Sequence, residues 1–480
     1  LASQPSRERD LVLAMVASLM ICPGTKLATT RLWSVSTLAQ EFGVSDADED
    51  ELYAAMDWLL AGQDRIQKKL AARHLKEDAL VLYDLSSSYF EGVQCPLAKL
   101  GYSRDGKRGT LQVNYGLLTD DRGCPVAISV YEGNTSDSTT FVPQVKRLRE
   151  EFGIASMVMV GDRGMISQKA IDEMSKDTDV AWITALRSSS IGTLVEQGHL
   201  QMDLFDERNL LEISSPDFPG ERLVACRNPE LAKLRVHTRN DLLLATEKEL
   251  EKIKLRVESA KLVGKDKIGV AAGKVVNRYK VSKHFELTIT DDALSFARLQ
   301  DSIAAEAALD GLYIIRTSVQ AQRMDAPTCV RTYKSLAQVE RAFRSIKTMD
   351  LKVRPIHHHL ENRVRAHIFL CMLAYYVEWH MREAWRELMF SNEDQAAKLI
   401  RDPVAPAQRS DEAIKKVQSR TLSDGSPVHS FQTLMATHAG IVRNTCRTPS
   451  GGADAPTFVI TTTHNPQQKR ALELIGQIKM

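Results

Sequence analysis

The chain has 480 residues, of which 43% are hydrophobic and 26% are charged, and its formal net charge is +2. This length and composition are typical of a soluble globular protein with two to four domains. Its two long apolar runs, Leu11–Cys22 and Ala366–Val377, have 12 residues each, whereas a helix that crosses a bilayer needs about 20. We therefore expect no membrane partner and interpret both runs as core helices.

The seven cysteines are scattered and form no Cys-x-x-Cys pair. Their spacing indicates neither a zinc ribbon nor a disulfide framework, and it favours a reducing cytoplasm. His357, His358 and His359 are consecutive, so they do not share one helix face, and a phosphate-facing or structural role is favoured over a zinc site.

Residues 1–77 are predicted to form a helical region that could bind DNA ends. The segment Ser36–Ser45 (STLAQEFGVS) resembles the first helix and turn of a helix-turn-helix. A plain helical bundle of Leu38–Leu60 and Arg65–His74 explains the same residues equally well, so both interpretations stay open.

The next region alternates short apolar runs with helical patterns. Three successive strands followed by helix, strand, helix and strand predict a mixed sheet flanked by helices, an α/β fold. The predicted strands are Ala79–Leu85, Leu111–Leu118, Pro125–Tyr131, Met157–Gly161 and Val180–Leu186, and the predicted helices are Ser138–Glu151 and Ser167–Ser175.

Two of these strands carry an acidic residue at or near their end. Asp84 follows the apolar run Ala79 to Tyr83, and Asp162 directly follows Met157–Gly161. A buried carboxylate is costly unless a cation or hydrogen bonds compensate its charge, so each acid is a candidate metal ligand. The alternative is turn chemistry, in which Asp84 caps a turn with Ser86 and Ser87 and Asp162 belongs to an Asp-Arg-Gly turn.

A third acid lies in Tyr333–Lys347 (YKSLAQVERAFRSIK), which we predict to be one amphipathic helix. At about 100° per residue, Tyr333 and Lys347 lie about 20° on either side of Glu340. The alternative is a surface helix with an ion pair between Glu340 and Arg344. The apolar stripe that would dock this helix consists of Leu336, Val339, Phe343 and Ile346.

At this point the sequence resembles the DDE transposases of bacterial insertion sequences, in the group marked by Tyr-x2-Arg-x3-Glu-x6-Lys. Tyr333, Glu340 and Lys347 fall at the spacing of that signature, whereas Leu336 occupies its arginine position. The resemblance covers Val81–Arg386 and includes YDLSSSYFEG and VGDRG around the first two acids.

The resemblance implies an RNase H-like fold in which Asp84, Asp162 and Glu340 bind two Mg²⁺ ions, for which Mn²⁺ can substitute. It also implies a homodimer that cuts the terminal inverted repeats of a mobile element and joins them to target DNA, in the bacterial cytoplasm next to the nucleoid. The alternatives are an RNase H-like nuclease without strand transfer and a non-catalytic DNA-binding relic. The residues expected to contact DNA are Tyr333, Arg341, Arg344, Lys347 and Arg354.

The predicted RNase H-like core is split by an insertion between the second and third acids. Its two parts are residues 78–186 and 311–402, and the inserted subdomain is 187–310, with a charged helix at Asn240–Leu262 and strands at Val275–Val281 and Phe285–Ile289. Residues 403–480 are expected to be a loosely ordered tail with a last helix from Gln467. Between Arg331 and Arg386 there are 11 Lys and Arg against 5 Asp and Glu, which favours phosphate binding near the third acid.

Overall fold

A computed structural model of the chain describes residues 1, 4–177, 179–200, 205–391, 401–406, 408–447 and 455–478. These residues form two compact units. The core unit consists of Leu1–Thr184, Arg331–Arg401 and Gln408–Met480, and the second unit consists of Ala185–Val330 and Asp402–Ala407. The sequence placed the insertion at 187–310, inside the second unit.

The core unit begins with helices that pack through apolar faces. Ser6 caps the first helix by accepting a hydrogen bond from the backbone of Arg9, and Asp48 and Glu51 form a capping box at the fourth. The Ser36–Ser45 segment contains only a four-residue helix followed by a turn, so whether it recognises DNA stays a prediction. The five helices are α1 (Arg7–Ile21), α2 (Lys26–Ser34), α3 (Leu38–Glu41), α4 (Glu49–Ala61) and α5 (Gln63–His74).

The centre of the core unit is a mixed sheet with strand order β3-β2-β1-β4-β5. The first three strands pair antiparallel, whereas β1, β4 and β5 pair parallel. This confirms the predicted RNase H-like α/β fold, with element ends within a few residues of the predicted ones. The elements are β1 (Ala79–Tyr89), β2 (Gln112–Thr119), β3 (Pro125–Glu132), α6 (Asp137–Glu150), β4 (Met157–Val160), α7 (Gln168–Met174) and β5 (Val180–Ala185).

One face of this sheet is buried beneath α6 and α7. Tyr83 and Leu85 of β1 belong to an apolar cluster with Phe141 of α6 and Trp182 of β5. Because successive side chains of a strand point to opposite faces, the side chain of Asp84 lies on the other face of the sheet. That face is the one on which the helix carrying the third acid packs.

The second unit has two apolar clusters, one within a helix pair and hairpin and one around three antiparallel strands. The predicted strand Val275–Val281 is wrong, because Val275 and Val276 lie on the buried face of a helix whose apolar residues recur at helical spacing. The strand at Phe285–Ile289 is confirmed. The elements are α8 (Ser188–Glu196), β6 (Leu210–Ile213), β7 (Arg222–Arg227), α9 (Pro229–Glu258), α10 (Lys265–Tyr279), β8 (Phe285–Ile289), β9 (Leu294–Arg298), α11 (Gln300–Ala307) and β10 (Leu312–Thr317).

The remaining elements follow the second unit, in which α12 begins, and all the later ones belong to the core unit. The third-acid segment is not the single helix that the sequence predicted, because α12 ends at Lys334, α13 starts at Leu336, and a π-helical turn, Ser345–Met349, follows. Both long apolar runs are core helices, as predicted. The elements are α12 (Ala326–Lys334), α13 (Leu336–Arg344), α14 (Glu361–Ala384), α15 (Asp411–Ser419), α16 (Phe431–His438), β11 (Arg443–Arg447), β12 (Thr457–Thr461) and α17 (Pro466–Gly476).

The C-terminal region is more ordered than its composition suggested. Phe431 and Leu434 of α16 and Ala471 of α17 are buried in one apolar cluster with Trp385, whose indole N–H donates to the carbonyl of Ala471 at 2.9 Å. The expected loose tail is therefore wrong for α16, whose apolar face docks on the end of α14, whereas the predicted last helix from Gln467 is confirmed by α17. The Pro- and Gly-rich stretch at 448–454 lies outside the described residues.

No single helix among the described residues is long and apolar enough to cross a membrane. Helices α1 and α2 reach the necessary length and apolar composition only together, as a pair bent by 91°.

Candidate active site

Asp84 lies on β1, and Asp162 comes two residues after the end of the neighbouring parallel strand β4. Leu82 of β1 pairs with Val160 of β4, and each acid comes two residues later. Asp84 is inside β1, opposite Leu117 of β2, so the turn interpretation of this residue is wrong. The strand register therefore brings the two acids to the same edge of the sheet, where the charge of Asp162 acts on Asp84.

Asp162 also belongs to a local turn. One of its oxygens, Oδ1, accepts hydrogen bonds from the backbone N–H groups of Gly164 at 2.9 Å and Met165 at 2.8 Å. The turn interpretation of this residue is therefore correct, and it is compatible with a site role. These bonds fix the orientation of the carboxylate next to Asp84.

Glu340 reaches the same face of the sheet from α13. This helix packs on β1 and buries Val339 and Phe343, while Glu340 itself is exposed. The ring of Phe343 meets that of Tyr115 on β2 edge-on, with centroids 5.8 Å apart. The apolar stripe thus docks the helix as predicted and leaves Glu340 at the rim. Asp84, Asp162 and Glu340 are called the three-acid cluster below.

The electrostatics show that the three acids act on one another. Burial is the main cause that raises the pKa of Asp84 from 3.8 to about 7, and the charges of Asp162 and Glu340 raise it further. The backbone N–H of Leu85, which donates to Asp84 at 2.8 Å, and the guanidinium of Arg104 oppose this shift. A carboxylate held so far above its usual pKa is one that a bound cation would stabilise.

Tyr333 also belongs to this neighbourhood. Burial raises its pKa to about 12, and the charges of Asp162, Asp84 and Glu340 add to the effect, while Arg163 opposes it. The phenol therefore stays protonated at neutral pH and can donate a hydrogen bond. The angular argument placed Tyr333 beside Glu340 on one continuous helix. In the structure Ser335 separates α12 from α13, so the two residues lie on different helices.

Lys347 does not share an exposed face with Glu340. It is buried, and its Nζ lies 2.6 Å from Oδ1 of Asp105 and donates to Oγ of Ser86 at 3.1 Å. Arg354 forms an ion pair with the same carboxylate. The π-helical turn after α13 explains the difference, because it changes the angular spacing at the end of the helix. A role for Lys347 and Arg354 in DNA contact stays a prediction.

Asp105 is the site residue that sequence reasoning missed. Its side chain is 1% exposed, and it accepts from the backbone N–H of Tyr89 at 3.0 Å. It is the only acid in the basic loop 99–108, and that isolation was the available signal. Arg104 of this loop pairs with Asp137 and also lies near enough to Asp84 to lower its pKa. Arg341 and Arg344 are exposed on α13.

The donor chemistry of the three-acid cluster fits Mg²⁺ or Mn²⁺. Carboxylate oxygens are the ligands that these hard ions prefer. The three side chains do not converge within 4.8 Å of one another; within the described ranges, only His74, Cys124 and His380 do so. A hard divalent cation is therefore the kind of ion that this donor set suits.

Comparison with known proteins gives a family. A family model described as a transposase DDE domain matches residues 86–377, which is more than half of the chain. The match includes Asp162 and Glu340 and starts two residues after Asp84. No curated protein is similar enough to the chain to count as a relative.

Solved structures of other transposases are among those that match the chain. The synaptic complex of piggyBac transposase with hairpin DNA has 9% sequence identity and a TM-score of 0.37, and the alignment covers 91% of this chain and 72% of that one. The Mos1 transposase paired-end complex with the left transposon end has 10% identity and a TM-score of 0.16, covering 40% and 63%. Neither superposition carries an argument at such scores.

Proposed function

Because the chain belongs to the DDE transposase family, we propose that it cuts DNA at the ends of a mobile element and transfers the freed strand into target DNA. The observation that carries this proposal is that the charges of Asp162, which follows β4, and Glu340, on α13, both act on Asp84 of β1. Neighbouring negative charges disfavour the ionised form of a carboxylate, and a bound cation offsets that repulsion. A shared task in binding cations accounts for their placement.

Asp84, Asp162 and Glu340 would hold two Mg²⁺ ions. Bound ions of this kind supply Lewis acidity that activates the attacking oxygen and stabilises the leaving oxygen of a phosphodiester. The chain itself supplies orientation. Backbone N–H groups hold the Asp162 carboxylate, and α13 presents Glu340 at the rim, where a DNA strand can approach.

The cations around the site divide into two groups. Arg341 and Arg344 are exposed on the helix that carries Glu340 and would contact DNA phosphates, as Tyr333 would by hydrogen bonding. Lys347 and Arg354 are held by Asp105 and therefore position β1, whose Asp84 is two residues from the Ser86 that Lys347 binds. Both element ends must be joined in concert, so the active form would be a homodimer on two DNA ends.

The test uses the full chain, Mg²⁺ or Mn²⁺, a supercoiled plasmid, and a labelled DNA fragment that carries the repeats flanking the coding sequence. We expect metal-dependent nicking at the repeat ends and joined fragment–plasmid product. Asp84→Asn, Asp162→Asn and Glu340→Gln should each lower the rate at least about 100-fold without loss of DNA binding. Asp172→Asn, an exposed acid on α7, is the control and should keep the wild-type rate.

Other results separate the alternatives. Cleavage without joined product would identify a nuclease, and DNA binding without cleavage by the wild type would identify a recognition-only relic. Cleavage that survives in the three-acid variants would refute the site assignment.

A further inference from the structure

A second group of ligand-type side chains lies apart from the three-acid cluster. His74 at the end of α5, Cys124 before β3 and His380 on α14 form what we call the His–Cys cluster. One ligand atom from each lies within 4.8 Å of the other two, and Sγ of Cys124 is 4.0 Å from Nε2 of His74. Three elements that are distant in sequence therefore present two imidazoles and a thiol to one point.

We propose that the His–Cys cluster binds a zinc ion. Imidazole nitrogen and thiolate sulfur are the ligands that Zn²⁺ prefers, and tetrahedral coordination with bonds of about 2.0 and 2.3 Å separates N and S by about 3.5 Å. The observed 4.0 Å therefore needs to close by about half an ångström. A water molecule would complete the coordination, and the ion would replace the present 2.9 Å hydrogen bond between Nε2 of His74 and the hydroxyl of Tyr376.

An independent observation points to a missing partner at this place. Nε2 of His380 is shielded from solvent and, within the described part of the chain, has no hydrogen-bond partner. Buried polar atoms are normally paired, and the ring of His380 is packed between those of Tyr376 and Trp379. Burial lowers the pKa of both histidines to about 4, so at neutral pH their lone pairs are available to a metal.

The charges around the cluster are compatible with a cation. Arg73 and Arg122 lie close enough to lower the pKa of both histidines, but Arg122 is paired with Asp120 at 2.6 Å. Burial raises the pKa of the Cys124 thiol, and zinc reverses this by binding the thiolate and releasing one proton to solvent. The thiolate then offsets one of the two charges of the ion.

The place of the site in the fold suggests what the ion does. It would tie helix α5 of the N-terminal region to β3 and to α14. The neighbouring Gly123 touches α13, since a Cβ there would lie 2.7 Å from Cβ of Gln338. The ion would therefore fix the turn on which the helix of Glu340 rests, which is a positioning role.

The experiment measures metal content of the full chain. The purified protein is stripped with a chelating resin, incubated with zinc sulfate and freed of excess metal by gel filtration. We expect about one zinc per chain in the wild type and in Cys226→Ser, a buried thiol of the second unit. Cys124→Ser and His380→Gln should each lose this zinc, and melting curves verify that they fold.

Cobalt distinguishes this site from any other. Co²⁺ should give a thiolate-to-metal charge-transfer band in the wild type and in His357→Gln, but not in Cys124→Ser. The proposal is overturned if the wild type retains no zinc, or if zinc content and the cobalt band are unchanged in Cys124→Ser. A chelator should also lower the melting temperature of the wild type and leave that of His380→Gln unchanged.

Discussion

Removing the charge of Asp84 should stabilise the metal-free protein while abolishing its activity. Asn has nearly the same shape as Asp, and its Oδ1 can still accept the hydrogen bond that the backbone N–H of Leu85 donates to Asp84. What Asp84→Asn removes is a partly buried negative charge that faces Asp162 and Glu340. Like charges placed near one another in this way lower the stability of the folded state.

The magnitude follows from the pKa. The folded-state pKa of Asp84 is about 7 and the usual value is 3.8, so between these pH values the folded chain binds more protons than the unfolded one. At low pH, Asp84 is protonated in both states and costs no stability. As the pH rises from 3.8 to about 7, ionisation of Asp84 lowers the free energy of unfolding, and above about pH 7 this loss no longer grows. The full shift corresponds to about 4 kcal/mol at pH 8 and about 2 kcal/mol at pH 5. Because water reaches part of the side chain, we expect roughly half of each.

The assay is urea denaturation of wild type and Asp84→Asn, in EDTA, at pH 8 and pH 5. The variant should be more stable by about 2 kcal/mol at pH 8, and the difference should shrink to about 1 kcal/mol at pH 5. Saturating Mg²⁺ should stabilise the wild type and not the variant, because only the charged site gains binding energy. Asp172→Asn should stay within about 0.5 kcal/mol of wild type throughout.

The reasoning is refuted if Asp84→Asn is no more stable than wild type at pH 8 without metal. A difference that does not change between pH 5 and pH 8 would refute it equally, because the cause would then be packing and not charge.

Asp105→Ala should lower the free energy of unfolding by about 3 kcal/mol because it leaves buried cations without a counter-charge, and adding Lys347→Met should restore part of the loss in urea denaturation. Gly123→Ala should cost about 1–3 kcal/mol more than Gly153→Ala, since both glycines have positive φ but a Cβ meets a neighbour only at Gly123; equal losses would contradict the packing argument. Leu434→Ala should lower stability by about 3 kcal/mol, and a loss below about 1 kcal/mol in thermal unfolding would mean that α16 contributes little to the core.

The positions of two acids could be predicted from the sequence because they depend on local patterns. Apolar runs that end near a carboxylate predicted strands, and the order of strands and helices predicted a mixed sheet in which acids at neighbouring strand ends can meet. The register that brings Asp84 and Asp162 to the same edge was not predicted and comes from the structure. The docking face of α13 was predictable because Val339 and Phe343 repeat at helical spacing.

The sequence failed where the backbone departs from regular geometry or where distant segments meet. Lys347 was assigned to the face of Glu340 because the angular argument assumes one uninterrupted α-helix, whereas Ser335 breaks it and Ser345–Met349 is π-helical. The contact of Cys124 with His74 joins residues 50 positions apart, and no spacing rule for metal ligands covers such a separation. Only tertiary packing brings such side chains together.

The raised pKa of Asp84 has a last consequence for metal binding. An ion that enters the three-acid cluster must displace the proton of Asp84, so below about pH 7 the apparent affinity for Mg²⁺ should fall about tenfold per pH unit. Calorimetric titration of the wild type with Mn²⁺ at pH 6 and pH 8 measures this, and proton release should accompany binding at pH 6 only. An affinity that is the same at both pH values would mean that Asp84 is not a ligand, and the assignment of the first acid would then have to be abandoned.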